Sequence, residues 1–181
     1  MAVDTVVLVD ELGHDVLDSN GRLATMEKAK VHRLGLLHRA VSVFIFNDVN
    51  EFLLQKRSGN KYHYPNKWSN TCCAHSFPQE VPLVTAQRRL GEEMGLHVAL
   101  NEVGALSYRL DAGNGIIENE FDHVFFGFSN QDPRPDWAEV SDWRWVPIEA
   151  IESELARVPQ KYSFWFGYIF RWLSRHKAYP R

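Results

Sequence analysis

Two β-rich runs, residues 39–46 and 51–56, stand four residues apart, and Asn47-Asp48-Val49-Asn50 between them is turn chemistry. That arrangement predicts a hairpin, and the rest of the chain has to be arranged around it. Residues 5–9 read as a first strand, with a turn at 11–15, while 25–37 is polar and carries no clean period. Residues 61–67 read as a loop around Pro65, and 68–75 as a short strand or extended segment. Pro82 suits a first helical turn and Gly95 a left-handed end, which predicts a helix over Pro82–Met94. Residues 98–110 read as extended, 111–115 as a turn, and Ile116–Phe128 as a long β-rich run. A short strand at 143–146 and helices at 148–156 and 162–173 complete the order. Strands, one central helix, more strands and terminal helices predict a mixed α/β layered domain with an interior sheet.

The 181 residues are enough for one domain with a sizeable core and too few for two comfortable ones. Apolar residues make up 45% and charged residues 24%, a folded composition. Lys and Arg number 20 against 23 Asp and Glu, so the basic excess of a nucleic-acid binder is missing. The first fifteen residues have acidic flanks rather than the basic start of a signal peptide, and no window reaches the length of a membrane span. The chain reads as cytoplasmic, with neither membrane nor nucleic acid as a partner. Its two cysteines, Cys72 and Cys73, are adjacent and poorly placed to bond each other. Thiols in a reducing compartment point instead to burial, ligation or catalysis.

On an extended segment Cys73 and His75 share a face and Cys72 points the other way. A thiol beside an imidazole suits a nucleophile, an acid–base group or a metal site, and equally a buried cysteine with a hydrogen-bonded histidine. Glu118 and Glu120 also share a strand face, where two carboxylates repel unless they are solvated or share a cation. His32 and His38 are six apart, which excludes two zinc ligands on one helical face. With His75, Glu118 and Glu120 they would form a set suited to a borderline or hard divalent ion, although spacing alone does not assemble it. Arg89 and Glu93, four apart on one helix, read either as a surface ion pair or as contacts to a phosphate and a magnesium ion. Arg57 and Lys61 lie where a strand enters a loop, a suitable place for an anion.

Taken together, Glu27-Lys28 with His32, Leu36-Leu37-His38-Arg39-Ala40, Trp68-Ser69-Asn70-Thr71-Cys72-Cys73-Ala74-His75, the helix from Arg88 to Gly95, Glu118-Asn119-Glu120 and the segment from Tyr162 to Trp165 resemble the type 1 isopentenyl-diphosphate isomerases of the Nudix-fold superfamily. The resemblance spans roughly residues 27–172, after a lead-in and strand over 1–26, within a single domain over 1–181. It implies a Nudix-like fold, with a central mixed β-sheet flanked by helices. It also implies interconversion of isopentenyl and dimethylallyl diphosphate through a tertiary carbocation, in isoprenoid biosynthesis. His32, His38, His75, Glu118 and Glu120 would hold one divalent metal, Mn²⁺, Mg²⁺ or Zn²⁺. Cys73 and Glu120 would be the acid–base pair, with Tyr108 bonded near Glu120 and Trp165 facing the hydrocarbon. Glu93 and the Cys73 carbonyl would hold a Mg²⁺ on the diphosphate, which Lys28, Arg57, Lys61 and Arg89 would contact. No flavin or nicotinamide is implied, and the protein would be a monomer or homodimer. The aromatic stretch from Tyr162 to Phe166 would wall the cation off from water.

The sequence departs from that family at His75-Ser76-Phe77-Pro78-Gln79-Glu80, where a proline usually follows the histidine and a Gly-Glu pair comes soon after, and at Val41, often Phe. A rival reading is a Nudix hydrolase. Its motif places Glu80, Arg88, Leu90, Glu92, Glu93, Gly95 and Leu96 in register, but puts Ala74 at its first glycine and Arg89 at a magnesium-binding glutamate. A cation there weakens a hydrolytic metal cluster and suits diphosphate binding. A metal-stabilised binding module is a third reading, and it would need neither Cys73 nor Tyr108.

Overall fold

A computed structural model describes residues 4–61 and 63–176; the first three residues of the lead-in, Tyr62 and the last five residues fall outside it. The elements run β1 (Thr5–Val7), β2 (Thr25–Glu27), α1 (Lys28–Leu34), β3 (His38–Phe46), β4 (Glu51–Arg57), β5 (Trp68–Ser69), β6 (Cys72–His75), α2 (Pro82–Met94), β7 (Leu100–Gly113), β8 (Ile116–Phe128), β9 (Val140–Pro147), α3 (Ile148–Arg157) and α4 (Phe164–His176). Strands β1 and β2 pair with each other, and the remaining seven form one mixed sheet among the described residues.

The hairpin of β3 and β4 opens almost at once. The two strands pair only at Phe46↔Phe52 and then diverge. One edge of β3 runs parallel with β8, from His38↔Glu120 to Phe46↔Phe128, and the other takes β6. Strand β4 turns to β9 and β5. The wedge between them is filled by residues 68–75, so the single extended segment expected there is two short strands, one on each side of the gap. Thr71 bridges the split: its Oγ1 accepts from Ile45 N at 2.9 Å and donates to Leu53 O at 2.6 Å. This insertion carries the Cys73 segment into the middle of the sheet.

Helix α2 follows its sequence signals. Pro82 opens it after an extended Val81, and Gly95, at φ 64°, closes it with its N–H on Gly91 O. The expected turn at 111–115 narrows to Asn114 and Gly115, both at positive φ, so β7 extends to Gly113. The aperiodic stretch 25–37 resolves into β2 and the short helix α1, which ends at Gly35 with φ 62°.

Strand parity divides the core. Phe44, Phe46, Val124 and Phe126 face Ile151 of α3 and Phe166, Ile169 and Phe170 of α4. Val41, Val43, Ile45 and Phe125 face Ala86, Leu90 and Met94 of α2. Phe44 is fully buried, with the rings of Phe52, Phe126 and Phe166 centred 5.5, 5.9 and 6.2 Å away. Phe44→Ala is expected to lower stability by about 3–5 kcal/mol, read as an earlier urea midpoint. An unchanged midpoint would mean that this layer is not the core.

Candidate metal centre and diphosphate cavity

The sheet register assembles the site. Glu120 of β8 lies beside His38 of β3 on one side and Tyr108 of β7 on the other. One strand further, β6 sets His75 opposite Ala40 and Cys73 opposite Ser42. On β8, Glu118, Glu120 and Asp122 point to the same face as Val124 and Phe126, so one strand face changes from polar to apolar along its length. Helix α1 brings His32 in from above, with 1% of its surface exposed.

One ligand atom from each of His32, His38, His75, Glu118 and Glu120 lies within 4.8 Å of the others. The structure therefore brings together the five residues that spacing alone could not. His38 Nδ1 lies 2.9 Å from Leu36 O, and a carbonyl only accepts, so the proton sits on Nδ1. The Nε2 lone pair then faces Glu120 Oε1 at 3.7 Å, and Nε2 has no hydrogen-bond partner. A buried imidazole lone pair facing a carboxyl oxygen leaves room for a cation, a proton on Glu120 or a divalent ion, between them. Burial pushes the His38 imidazole down to about 4 and His75 well below its usual range, so both rings are in their neutral, ligating form. Burial also opposes ionisation of Glu118, but hydrogen bonds and charge from His32 and His63 outweigh it and hold the carboxyl well below the usual range. Three neutral or hydrogen-bonded imidazoles with two carboxylates fit a divalent ion of mixed nitrogen and oxygen preference.

Next to this cluster opens a cavity of about 360 Å³, at the small end of ligand sites. Its lining includes Cys73, His75, Tyr108, Glu118, Glu120 and Trp165 together with Lys28, Arg57, Lys61, Arg89, Glu93 and Glu139, and the Arg57 guanidinium lies 5.0 Å from the centre of the Trp165 ring. Every residue singled out in the sequence as catalytic or substrate-binding thus borders one space. The ion pair of Arg89 and Glu93 does form, but with Glu93 only 2% exposed, at the edge of the cavity rather than on the open surface. Arg89 bonds Glu93 and also reaches Glu92 Oε2 at 2.7 Å, while Gln55 Nε2 donates to Glu93 Oε2 at 3.1 Å. Lys61 pairs with Glu139.

Cys73 is held from several sides. Its thiol donates to Asn70 Oδ1 at 2.9 Å, and Trp165 Nε1 donates to its sulfur at 3.1 Å. Asn70 cannot turn its amide over, because Nδ2 donates to Val43 O and Cys72 O at 3.2 and 2.8 Å. Burial, then the charge of Asp122, pushes the Cys73 thiol up to about 12, so it stays protonated. Glu120 accepts from the Tyr108 hydroxyl, and its Oε1 lies 2.9 Å from His75 Nε2. Burial, followed by the charges of Glu118 and Asp122, raises its proton affinity well above the ordinary range.

Two expectations need correction. The stretch from Tyr162 to Phe166 does not wall the cavity as a unit: only Trp165 of it borders the space. Tyr162 and Phe166 pack in the core, Ser163 bonds Ser69, and Phe164 is 37% exposed. The cause is that α4 begins at Phe164, so helical spacing sends consecutive side chains in different directions. The site also holds residues that sequence reading passed over. Asp122 continues the two-residue spacing of Glu118 and Glu120 and could have been found from it; it is 1% exposed, accepts from Ser42 Oγ at 2.8 Å, and is pushed up to about 7 by burial. Asn70, Glu139 and His63 had no such signal.

Comparison with known proteins gives the family and the fold. The family described as NUDIX domain matches residues 36–166. Isopentenyl-diphosphate Delta-isomerase 1 of Aromatoleum aromaticum is 44% identical over 162 residues, covering 90% of this chain and 88% of the relative. The Pectobacterium atrosepticum isopentenyl-diphosphate Delta-isomerase is 42% identical over 170 residues, covering 94% and 91%. Among solved structures, the Deinococcus radiodurans protein DR0079 superposes with a TM-score of 0.73 at 16% identity, covering 92% of this chain and 97% of its own, a likeness of fold. The chain is therefore a Nudix-domain protein and belongs to the isopentenyl-diphosphate Delta-isomerase family.

Proposed function

We propose that this protein interconverts isopentenyl and dimethylallyl diphosphate, with Cys73 and Glu120 as the acid–base pair. The observation that carries the reading is the placement of a protonated thiol and a carboxylate of the five-residue cluster on one small cavity that Lys28, Arg57, Lys61 and Arg89 also line. Lys28, Arg57, Lys61 and Arg89 suit the diphosphate, and Glu93 with the Cys73 carbonyl suits a Mg²⁺ carried with it. Anchoring the diphosphate lets binding energy far from the reacting carbons hold those carbons in position. A proton added to the terminal alkene carbon leaves a tertiary cation, and loss of a proton from the carbon on its diphosphate side completes the shift.

The side chains serve that sequence. Cys73 keeps its proton until substrate takes it, and Asn70 and Trp165 fix its position. Tyr108 and His75 hold the Glu120 carboxyl between them. A divalent cation in the cluster of His32, His38, His75, Glu118 and Glu120 supplies positive charge that lowers the proton affinity of Glu120. Trp165, 4% exposed, borders the cavity beside Cys73, where its indole would face the hydrocarbon of the substrate and keep water from the cation. Trp165→Phe removes the N–H bonds to Cys73 and Ser69 and weakens the cation–π face. It is expected to lower kcat about 10-fold, equivalent to ~1.4 kcal/mol, with little change in KM. A KM effect alone would place Trp165 in binding rather than in the chemistry.

Phosphorus NMR of isopentenyl diphosphate with protein, Mg²⁺ and Mn²⁺ separates this reading from hydrolysis. The expected result is retention of both phosphorus resonances as the product forms. Release of inorganic phosphate or pyrophosphate would support the hydrolase instead. Arg89 argues for the isomerase: it sets a guanidinium against Glu92 and Glu93, where the hydrolase motif needs a further carboxylate.

A further inference from the structure

The loop between β4 and β5 carries a histidine that is not part of the five-residue cluster. His63 Nε2 lies 2.9 Å from Glu118 Oε1, a close polar contact to a buried carboxylate. The other oxygen of the same carboxylate, Oε2, lies 3.3 Å from His32 Nε2, on the cluster side. The His63 ring rests against Trp165, centroids 5.7 Å apart, and its centroid is 6.0 Å from that of His32. Its donor atom is not among the five that lie within 4.8 Å of one another.

From His63 to Asn66 the backbone is tied to its surroundings. Arg57 donates to His63 O at 3.1 Å and to Tyr64 O at 3.3 Å. Tyr64 and Asn66 both sit at positive φ, 48° and 60°, a conformation that non-glycine residues adopt only when the surroundings impose it. The Tyr64 ring meets Trp165 edge to face, centroids 5.0 Å apart. Such a loop aims its side chains rather than letting them sample.

We propose that His63 is an outer-sphere positioning residue of the metal centre, holding Glu118 by one oxygen so that the other is presented to the ion. The inference rests on the metal-site reading given above. Ligating carboxylates depend on such partners, and losing one typically weakens metal affinity about 10–100-fold. Lys61 stands on the same loop, so the segment that orients a metal ligand also carries a candidate diphosphate contact.

Mn²⁺ affinity by chelator competition tests this, on wild type, His63→Ala, His63→Gln and His38→Ala, together with pulsed EPR of the bound ion. His63→Ala is expected to bind Mn²⁺ about 10–100-fold more weakly, and His63→Gln, whose amide still donates to Glu118, to recover most of that loss. The nitrogen couplings from His32, His38 and His75 should be unchanged in both His63 variants. Wild-type affinity in His63→Ala overturns the proposal, as does loss of one imidazole coupling, which would make His63 a direct ligand. A wild-type protein that binds no Mn²⁺, or a His38→Ala protein that binds it undiminished, overturns the metal-site reading itself and the proposal with it.

Discussion

Cys73→Ala is expected to reduce turnover of isopentenyl diphosphate by about 10²–10⁴-fold, the range for removing a positioned acid or base. The thiol is held on the cavity by both Asn70 and Trp165. Alanine removes it with those two bonds, and because Cys73 packs against the core as well as bordering the cavity, a urea midpoint read beside turnover separates lost chemistry from lost stability. The five ligand atoms lie on other side chains, so Mn²⁺ affinity should be retained. Cys73→Ser keeps a hydrogen-bonding group but offers a far weaker acid, and should also lose most activity. The pair is read by steady-state turnover beside metal affinity. If Cys73→Ala turns over within about tenfold of wild type, the thiol is not the acid and the assignment falls.

Glu120→Gln should match or exceed that loss, because one residue is given two tasks. Its carboxyl belongs to the five-residue cluster, accepts from Tyr108 and lies 2.9 Å from His75 Nε2. Glutamine keeps the size and one acceptor, yet cannot take up and release the proton. Glu118→Gln is the informative partner. Glu118 shares the cluster, but its carboxylate lies against His32 and His63, at 3.3 and 2.9 Å, and not against Tyr108. Saturating Mn²⁺ should therefore restore much of the activity of Glu118→Gln, while Glu120→Gln stays about 10²–10⁴-fold down even when loaded. Equal rescue of the two variants would reduce Glu120 to a ligand and leave its acid–base role without support.

How much of this could be read from the sequence depended on how local each signal was. Pro82 and Gly95 bound α2 to the residue, because helix ends are specified by the amino acids at those ends. Ile116–Phe128 was equally clear, its β-rich run ending where β8 ends. The hairpin of β3 and β4 was half legible: the turn is local, but the divergence after Phe46↔Phe52 follows from β8 and residues 68–75 claiming the edges of β3. No local feature of 39–56 encodes that competition. The candidate site shows the same division. Glu118 with Glu120, and Cys73 with His75, were legible as pairs through strand alternation. Their convergence with His32 and His38 was not, since it requires the parallel β3–β8 register and a helix in a stretch without a period. The resemblance to the isomerases supplied that set where spacing could not. His63 lay in a segment readable only as a loop, and its aim at Glu118 depends on Arg57 clamping carbonyls six and seven residues away.

Proton NMR of isopentenyl diphosphate turned over in D₂O by the metal-loaded protein tests the central claim most directly. Protonation by a group that exchanges with solvent predicts dimethylallyl diphosphate carrying deuterium in the newly formed methyl group, with the diphosphate intact. Product without deuterium, or substrate unchanged while the metal is bound, would contradict the acid–base account of Cys73 and Glu120.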